Sequence, residues 1–514
     1  MLNLSRASLD WALNHVLRHG DTDIFPPLFE FKAINSQWDD VANYLVTQDA
    51  MAWPVRTFRR CLAPKHRYGF RVSTQLDPLD MLVFTALVYE AGERLEARRV
   101  SKADGVAHSF RYMPTAKGDM YDYGYGYETF LQRSKELSEE SQWVVVTDIA
   151  DFYPRLYLHR IENSLQQATG NSSHAKAIAH LIRGWNSAYS YGIPVGSAPS
   201  RLIAEVAIDD IDRCLLAEGV RFVRYIDDFR MFCSSFRQAH EHLALLANAL
   251  FENHGLTLQQ QKTRILPSEI FRELHTSTDE ATEARERTEW MQIMGETGWY
   301  DPIEWDDLTP EQQERISRLN LDHMLSEQLK HDEVDIRLTR FLLRRLAQLG
   351  TASSLQATLG GVERLYPVFP DLISYISSIR DLDQNQRNDV GKMLLDLMKE
   401  SSVLHLEFHG MWLLTLLSGD TDWGLKDSLA ILFANHHDPF TQRELLLALG
   451  KTGQDGWFRT RKRSVFDFPE WTRRALLAGG GCLPKDERNH WYHSLEPRLD
   501  RLELAVVNWA RSTY

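Results

Sequence analysis

The sequence predicts an α+β amino-terminal half followed by an all-α carboxy-terminal half. Two observations carry this. Up to about residue 270, helical patterns mix with short runs in which β-branched and aromatic residues concentrate, such as Trp143 to Val146 and Arg221 to Tyr225. Beyond an acidic stretch those runs nearly vanish and amphipathic helices follow one another. At 514 residues the chain has room for several domains at about 100–200 residues each, so small disulfide-stapled folds are excluded.

Taken in order, Met1 to Gly20 reads as an amphipathic helix containing Arg6, Asp10 and Arg18, without the apolar segment of a signal peptide. Met51 to Gln75 carries six basic residues (Arg56, Arg59, Arg60, Lys65, Arg67 and Arg71) and no acidic one, a local charge that suits phosphate. In Trp143 to Tyr153, WVVVTDIADFY, an apolar strand runs directly into Asp148. A carboxylate at a buried strand end is costly without a partner, which is often a metal ion. In Arg221 to Cys233, RFVRYIDDFRMFC, two apolar-rich runs flank Asp227-Asp228, the pattern of a β-hairpin whose tight turn holds adjacent carboxylates. An Asp-Asp pair by itself suits a solvated turn equally well. Asp148 and Asp227 lie 79 residues apart, enough for helices and a return to a neighbouring strand. Carboxylates so gathered form an oxygen cage that suits Mg²⁺. Two such ions about 3.5–4 Å apart can activate an attacking hydroxyl and stabilise a pyrophosphate leaving group.

The formal charge is −13, but Glu269 to Glu314 alone contributes −11, leaving −2 for the rest. A solvated surface accounts for that stretch. From Asp335 to Leu349, the residues Leu338, Phe341, Leu342, Leu346 and Leu349 share one helical face, and Gly350 follows as a stop. Further helices are predicted over 355–365, 387–399, 407–417, 425–434, 442–449, 471–478 and 495–510. The series suggests a HEAT-like repeat array, although an irregular helical bundle fits the periodicity as well. The expected division is 1–270, an acidic helical connector over 271–330, and a helical domain over 331–514. Four scattered cysteines, Cys61, Cys214, Cys233 and Cys482, indicate neither a zinc site nor a disulfide framework and point to the cytoplasm. Nowhere do 18 uncharged apolar residues run together, so no membrane partner is expected.

Asp148 with Phe152 and Tyr153, then Gly192-Ile193-Pro194-Val195-Gly196, then Tyr225-Ile226-Asp227-Asp228, then Gly255-Leu256 with Lys262-Thr263, resemble in order motifs A to D of reverse transcriptases. Pro64-Lys65 to Arg71 and Leu76 to Glu90 look like the fingers motifs. Gly20-Asp21-Thr22-Asp23-Ile24-Phe25-Pro26, the Ser200 to Glu205 extension, Trp471 to Trp491 and the helical second half resemble the prokaryotic abortive-infection and defence-associated reverse transcriptases, closest to the prophage-borne type. The resemblance implies the fingers and palm of a right-hand polymerase, followed by the helical-repeat domain. Val195 departs from it, standing where many reverse transcriptases carry Gln, and the second half shows no RNase H, integrase or endonuclease pattern.

By this resemblance Asp148 and Asp227 ligate Mg²⁺ (or Mn²⁺), Asp228 assists, and Lys262 is the general acid. Lys65 and Arg71 grip the β- and γ-phosphates of dNTPs, Asp151 and Gly196 line the nucleotide, and Tyr153 excludes a 2′-hydroxyl. Each has a plain alternative: core packing for Tyr153, a helix cap for Asp151, surface charge for Lys262, and a simple loop for Gly192 to Gly196. The implied activity is untemplated, protein-primed DNA synthesis in antiphage defence, with a single-stranded DNA product attached covalently to a tyrosine. Tyr44 and Tyr514 are the candidates, and Tyr121, Tyr123, Tyr125 and Tyr127 are others. Homo-oligomers occur in that group. A templated enzyme copying a bound non-coding RNA is the first alternative, and a non-catalytic nucleic-acid scaffold is the second.

Overall fold

The structure, a computed structural model, describes residues 1–66, 68–276, 320–400, 403–419 and 421–513. Arg67, Tyr514 and nearly all of the acidic stretch lie outside the described residues. The chain forms two compact units that interleave in sequence. The first comprises Met1–Asp23, Val46–Arg56 and Asp80–Leu319; the second comprises Ile24–Leu45, Thr57–Leu79 and Asn320–Tyr514. Packing therefore divides the chain differently from the expected 1–270 and 331–514, because two early segments join the helical unit.

In the first unit four antiparallel strands lie in the order β4-β5-β3-β6: β3 is Trp143–Asp148, β4 Phe222–Tyr225, β5 Asp228–Cys233 and β6 Arg264–Pro267. Alternation puts Val144 and Val146 of β3 on one face with Val223, Tyr225, Phe232 and Leu266. That face is closed by Phe130, Leu131 and Leu137 of the helix Tyr127–Glu139 and by Phe271 of the helix Ser268–Thr276. A long helix, Phe236–His254, packs on β3 and β5. It starts where the Ser235 hydroxyl accepts from the Gln238 N–H, and it stops at Gly255, whose φ of +65° favours glycine.

The second unit holds a two-stranded hairpin, β1 (Arg59–His66) and β2 (Gly69–Gln75), together with the helical array. The helices Ile336–Leu349, Phe369–Ser378, Glu407–Leu417, Pro439–Lys451, Glu470–Gly479 and Arg501–Thr513 stack in succession, with shorter helices between them. Stacking of alternate helices is the arrangement of a helical-repeat array. Asp335 caps the first of these by accepting from the N–H groups of Arg337 and Leu338, and Gly350 ends it at φ +69°. Leu338, Phe341, Leu342 and Leu346 are buried as predicted; Leu349, at the helix end, is 56% exposed instead.

Buried ion pairs explain why the early segments join this unit. Glu30 is fully buried and accepts from Arg443 Nη2 (2.6 Å) and Arg474 Nε (3.2 Å), while Arg474 Nη1 donates to Asp77 Oδ2 at 2.9 Å. Burial alone would raise the Glu30 carboxyl, but Arg443 and Arg474 outweigh it and hold it below the usual range. Each buried charge needs the others, so the segments cannot detach without stranding one. All four cysteines are free thiols, and among the described residues no helix is long and apolar enough to cross a membrane.

Candidate functional site

Asp148 ends β3 directly opposite Asp228, the first residue of β5. Tyr225 of β4 pairs with the same Asp228, so the β4–β5 hairpin turns over Ile226 and Asp227 alone. The hairpin is the one expected, with Asp227 in the turn and Asp228 already on the strand. Backbone bonds tie the β3 end on both sides. Ile149 N–H donates to the Asp227 carbonyl (3.0 Å), Gln259 N–H to the Asp148 carbonyl (2.7 Å) and Ala150 N–H to the Thr257 carbonyl (2.8 Å).

The turn is strained. Ile226 has φ +58°, a region that β-branched residues rarely enter, at a cost of about 1–3 kcal/mol. Its surroundings hold it there: Ile226 N–H donates to Ser109 Oγ at 2.9 Å, and its carbonyl accepts from Arg224 Nη1 at 2.8 Å. Arg224 is fully buried on β4 and donates to Asp212 through Nε (2.8 Å) and Nη2 (2.5 Å), and to Glu205 through Nη1 (3.2 Å) and Nη2 (3.1 Å). Glu205 accepts as well from Arg99 Nη2 (2.7 Å) and Ser109 Oγ (2.6 Å). Burial works against ionisation of Glu205, yet Arg224 and Arg99 outweigh it and keep its carboxyl below the usual range. These five residues clamp the carboxylate-bearing turn. Sequence reasoning missed them, although a charge inside RFVRY and another inside LIAEVAI are signals of a buried, paired group.

At the turn itself the electrostatics are reversed. Burial first, then Asp148 and Asp228, push the Asp227 carboxyl up to about 8. Asp148 is 3% exposed; its Oδ1 makes no hydrogen bond among the described residues, and its Oδ2 accepts from the Lys262 ammonium. Burial would lower Lys262, but Asp148 outweighs it and the net direction is upward. An orphaned buried carboxylate oxygen beside a carboxyl that resists ionising marks a site short of positive charge. Hard oxygen donors of this kind fit a divalent cation, for which Asp148, Asp227 and Asp228 are the available ligands. Among the described residues no three acidic, His or Cys side chains are arranged as they stand to hold a metal ion; Lys262 supplies the counter-charge at Asp148.

Tyr153 lies on the short helix Phe152–Arg155 and packs on Phe152 at 5.2 Å. Burial raises its phenol well above the usual range; Arg201 opposes this, and Glu205 and Asp227 add to it. Asp151 is exposed at φ +49° and forms no side-chain cap, so the capping alternative is not realised. The Gly192 to Gly196 loop docks beside this helix: Gly192 N–H donates to the Leu156 carbonyl (2.7 Å) and Ile193 N–H to the Tyr153 carbonyl (3.2 Å). Gly192 is at φ +98°, and a Cβ there would stand 3.2 Å from the Pro154 carbonyl, so glycine is required. Gly196 accepts at its carbonyl from Arg201 Nη2 (3.4 Å), and Arg201 also pairs with Asp23 at 2.5 Å.

The structure thus brings Asp148, Asp227, Asp228 and Lys262 together, with Tyr153 in electrostatic reach of Asp227. Lys65 and Arg71 belong to the other unit. Lys65 is exposed at the irregularity between Pro64 and His66, and Arg71 is exposed opposite Ala63. Tyr44 is in that unit too, half-buried with the Arg501 guanidinium 5.6 Å from its ring. In the carboxylate unit, Tyr121 is buried, Tyr125 stacks on His108 at 4.9 Å, Tyr127 meets Tyr225 at 5.1 Å, and Tyr123 is 59% exposed.

Residues 100–291 match the family described as reverse transcriptase (RNA-dependent DNA polymerase). This part of the chain is a nucleotidyltransferase domain of that type. Similar solved structures include telomerase from Candida albicans in complex with a TWJ fragment of telomeric RNA, at 12% identity over 73% of this chain and 69% of that chain, with a TM-score of 0.31. Apo telomerase from Candida tropicalis is another, at 12% identity over 77% and 72%, with a TM-score of 0.31. No curated protein matches the sequence.

Two outcomes are expected of this geometry. Because the fold favours protonated Asp227, the stability that group contributes is complete near the ordinary carboxylate range and lost as pH rises through about 8. With chelator present, Asp227→Asn should therefore gain about 2 °C or more in Tm over the parent at pH 8 and little at about pH 5, as thermal melts at the two pH values will show. Glu205→Gln takes the shared carboxylate from two buried guanidiniums, leaving Asp212 to Arg224 and Glu96 to Arg99. It should lose about 3 kcal/mol in denaturant unfolding and, at a temperature where it stays folded, about tenfold or more of its nucleotide incorporation rate.

Proposed function

We propose that this chain is a DNA polymerase with a reverse-transcriptase palm, acting in antiphage defence by protein-primed, template-independent synthesis. The observation that carries the polymerase reading is the register that sets Asp148 against Asp228 with Asp227 in the intervening turn, inside the segment matching reverse transcriptases. Two Mg²⁺ ions, replaceable by Mn²⁺, held by Asp148 and Asp227 with help from Asp228, would supply Lewis-acid activation of the attacking hydroxyl and stabilisation of the leaving pyrophosphate.

The remaining roles belong to the chain's own side chains. Tyr153, which packs on Phe152 beside the Gly192 to Gly196 loop, is the ring that excludes the 2′-hydroxyl of an incoming nucleotide in this reading. Lys262, already at the carboxylates, donates the proton that the pyrophosphate needs. The likeness of their hairpin to a fingers motif gives Lys65 and Arg71, both exposed, the β- and γ-phosphates. Support for defence and for a tyrosine primer comes from the likeness of the Gly20 to Pro26, Ser200 to Glu205 and carboxy-terminal segments to abortive-infection enzymes. A second reading, templated copying of a bound RNA, is favoured by the RNA-dependent description of the matching family; a co-purifying RNA of defined sequence would support it.

Purified protein incubated with labelled dNTPs and Mg²⁺, without template or primer, should acquire covalent label, and the Asp227→Ala, Asp228→Ala double variant should acquire none. Unlabelled wild-type protein would remove self-priming, and a labelled double variant would remove the carboxylate assignment. Tyr153→Ala should narrow the preference for dNTP over rNTP by about tenfold or more in competition assays. Unchanged discrimination would show that the ring only fills the core.

A further inference from the structure

The helical unit contains a cavity of about 300 Å³ between the turn Lys462–Asp467 and the helix Lys485–Leu495. Lys462, Arg463, His490 and Arg498 converge on it over a floor that includes Phe466 and Trp491, and none of its lining residues is acidic. This is unusual in a chain of charge −13. Ordinary solvated charge is interspersed and self-neutralised; here the adjacent carboxylate, Glu487, is already taken by Lys462 (2.6 Å) and Arg459 (2.8 Å). Arg463 and Arg498 have no acidic partner among the described residues. Arg498 instead lies 3.7 Å from the Phe466 ring centroid, and the neighbouring Arg461 lies 4.2 Å from that of Trp457. Stacking occupies the face of a guanidinium and fixes its plane while leaving the in-plane N–H donors free, the geometry that phosphate oxygens need.

We propose that this cavity is a phosphate site that holds the phosphodiester backbone of a single nucleic-acid strand. Free nucleotides and inorganic phosphate present the same oxyanions. The choice of a strand rests on the polymerase reading, since such an enzyme makes one; the phosphate site does not. Backbone contacts carry no base information, so binding is sequence-independent and salt-sensitive.

The test uses the full chain with a labelled oligothymidylate of about 20 nucleotides, titrated over a series of salt concentrations. Arg463→Ala with Arg498→Ala should weaken binding about tenfold and flatten the salt slope by about 1.4, the share of two phosphate contacts on a single strand. Incorporation of dNTP by the variant should be unchanged, and Arg463→Glu alone, which leaves the Arg498–Phe466 stack in place, should weaken binding further than Arg463→Ala. Equal affinity and slope in parent and variants would overturn the site. Displacement of the oligonucleotide by about 1 mM inorganic phosphate or dATP would assign the cavity to free phosphate and overturn the strand. A parent that binds through these arginines but incorporates no dNTP would leave the site standing and remove the polymerase reading instead.

Discussion

The bidentate grip of Arg224 on Asp212, shared with Glu205, is the interaction on which the carboxylate site depends. Its guanidinium is fully buried, so its charge must be answered in place, and the answering groups come from two different helices, Ala198–Ala207 and Asp209–Ala217. Once those bonds are made, one N–H remains for the Ile226 carbonyl, and a turn that would otherwise relax is held at positive φ. Through Ser109 the same cluster reaches the Ile226 N–H, so the turn is gripped at both ends of one residue.

The arrangement also bears on why the Asp227 carboxyl resists ionising. Arg224 and Arg99 stand close by, but Glu205 and Asp212 consume their charge, and Arg201 is committed to Asp23 and the Gly196 carbonyl. Asp227 is left with burial and two like-charged neighbours, and Lys262 is the one ammonium paired with Asp148 among the described residues. Most of the nearby guanidinium charge is thus spent on other acids, while the Lys262 ammonium reaches the carboxylates through Asp148.

Much of this was legible in the residues. The WVVVTD strand, the hairpin around Asp227 and the Asp335-to-Gly350 helix follow from alternation, helical periodicity and caps, which are local properties. The helices Asp455–Arg461 and Lys485–Leu495 went unpredicted because their apolar positions are few and their surfaces charged. The pairing inside the charge cluster was illegible for a different reason: the lone charges in RFVRY and LIAEVAI signal burial, but only the fold makes Arg99, Glu205 and Arg224 neighbours. The same holds for Glu30, which looks like an ordinary surface acid until Arg443 and Arg474 close over it. Lys65 and Arg71 were read with the carboxylates because their basic run looks like a fingers motif, whereas packing assigns their hairpin to the helical unit.

The interleaving of the two units has a consequence for biosynthesis. The chain passes from one unit to the other five times, four of them within its first 80 residues. No contiguous fragment consists of either unit alone. Residues Ile24–Leu45 and Thr57–Leu79 leave the ribosome early and wait for partners such as Arg443 and Arg474, encoded more than 350 residues later. Until then Glu30 and Asp77 lack the arginines that answer their charge, so the helical unit closes only once its last helices are made.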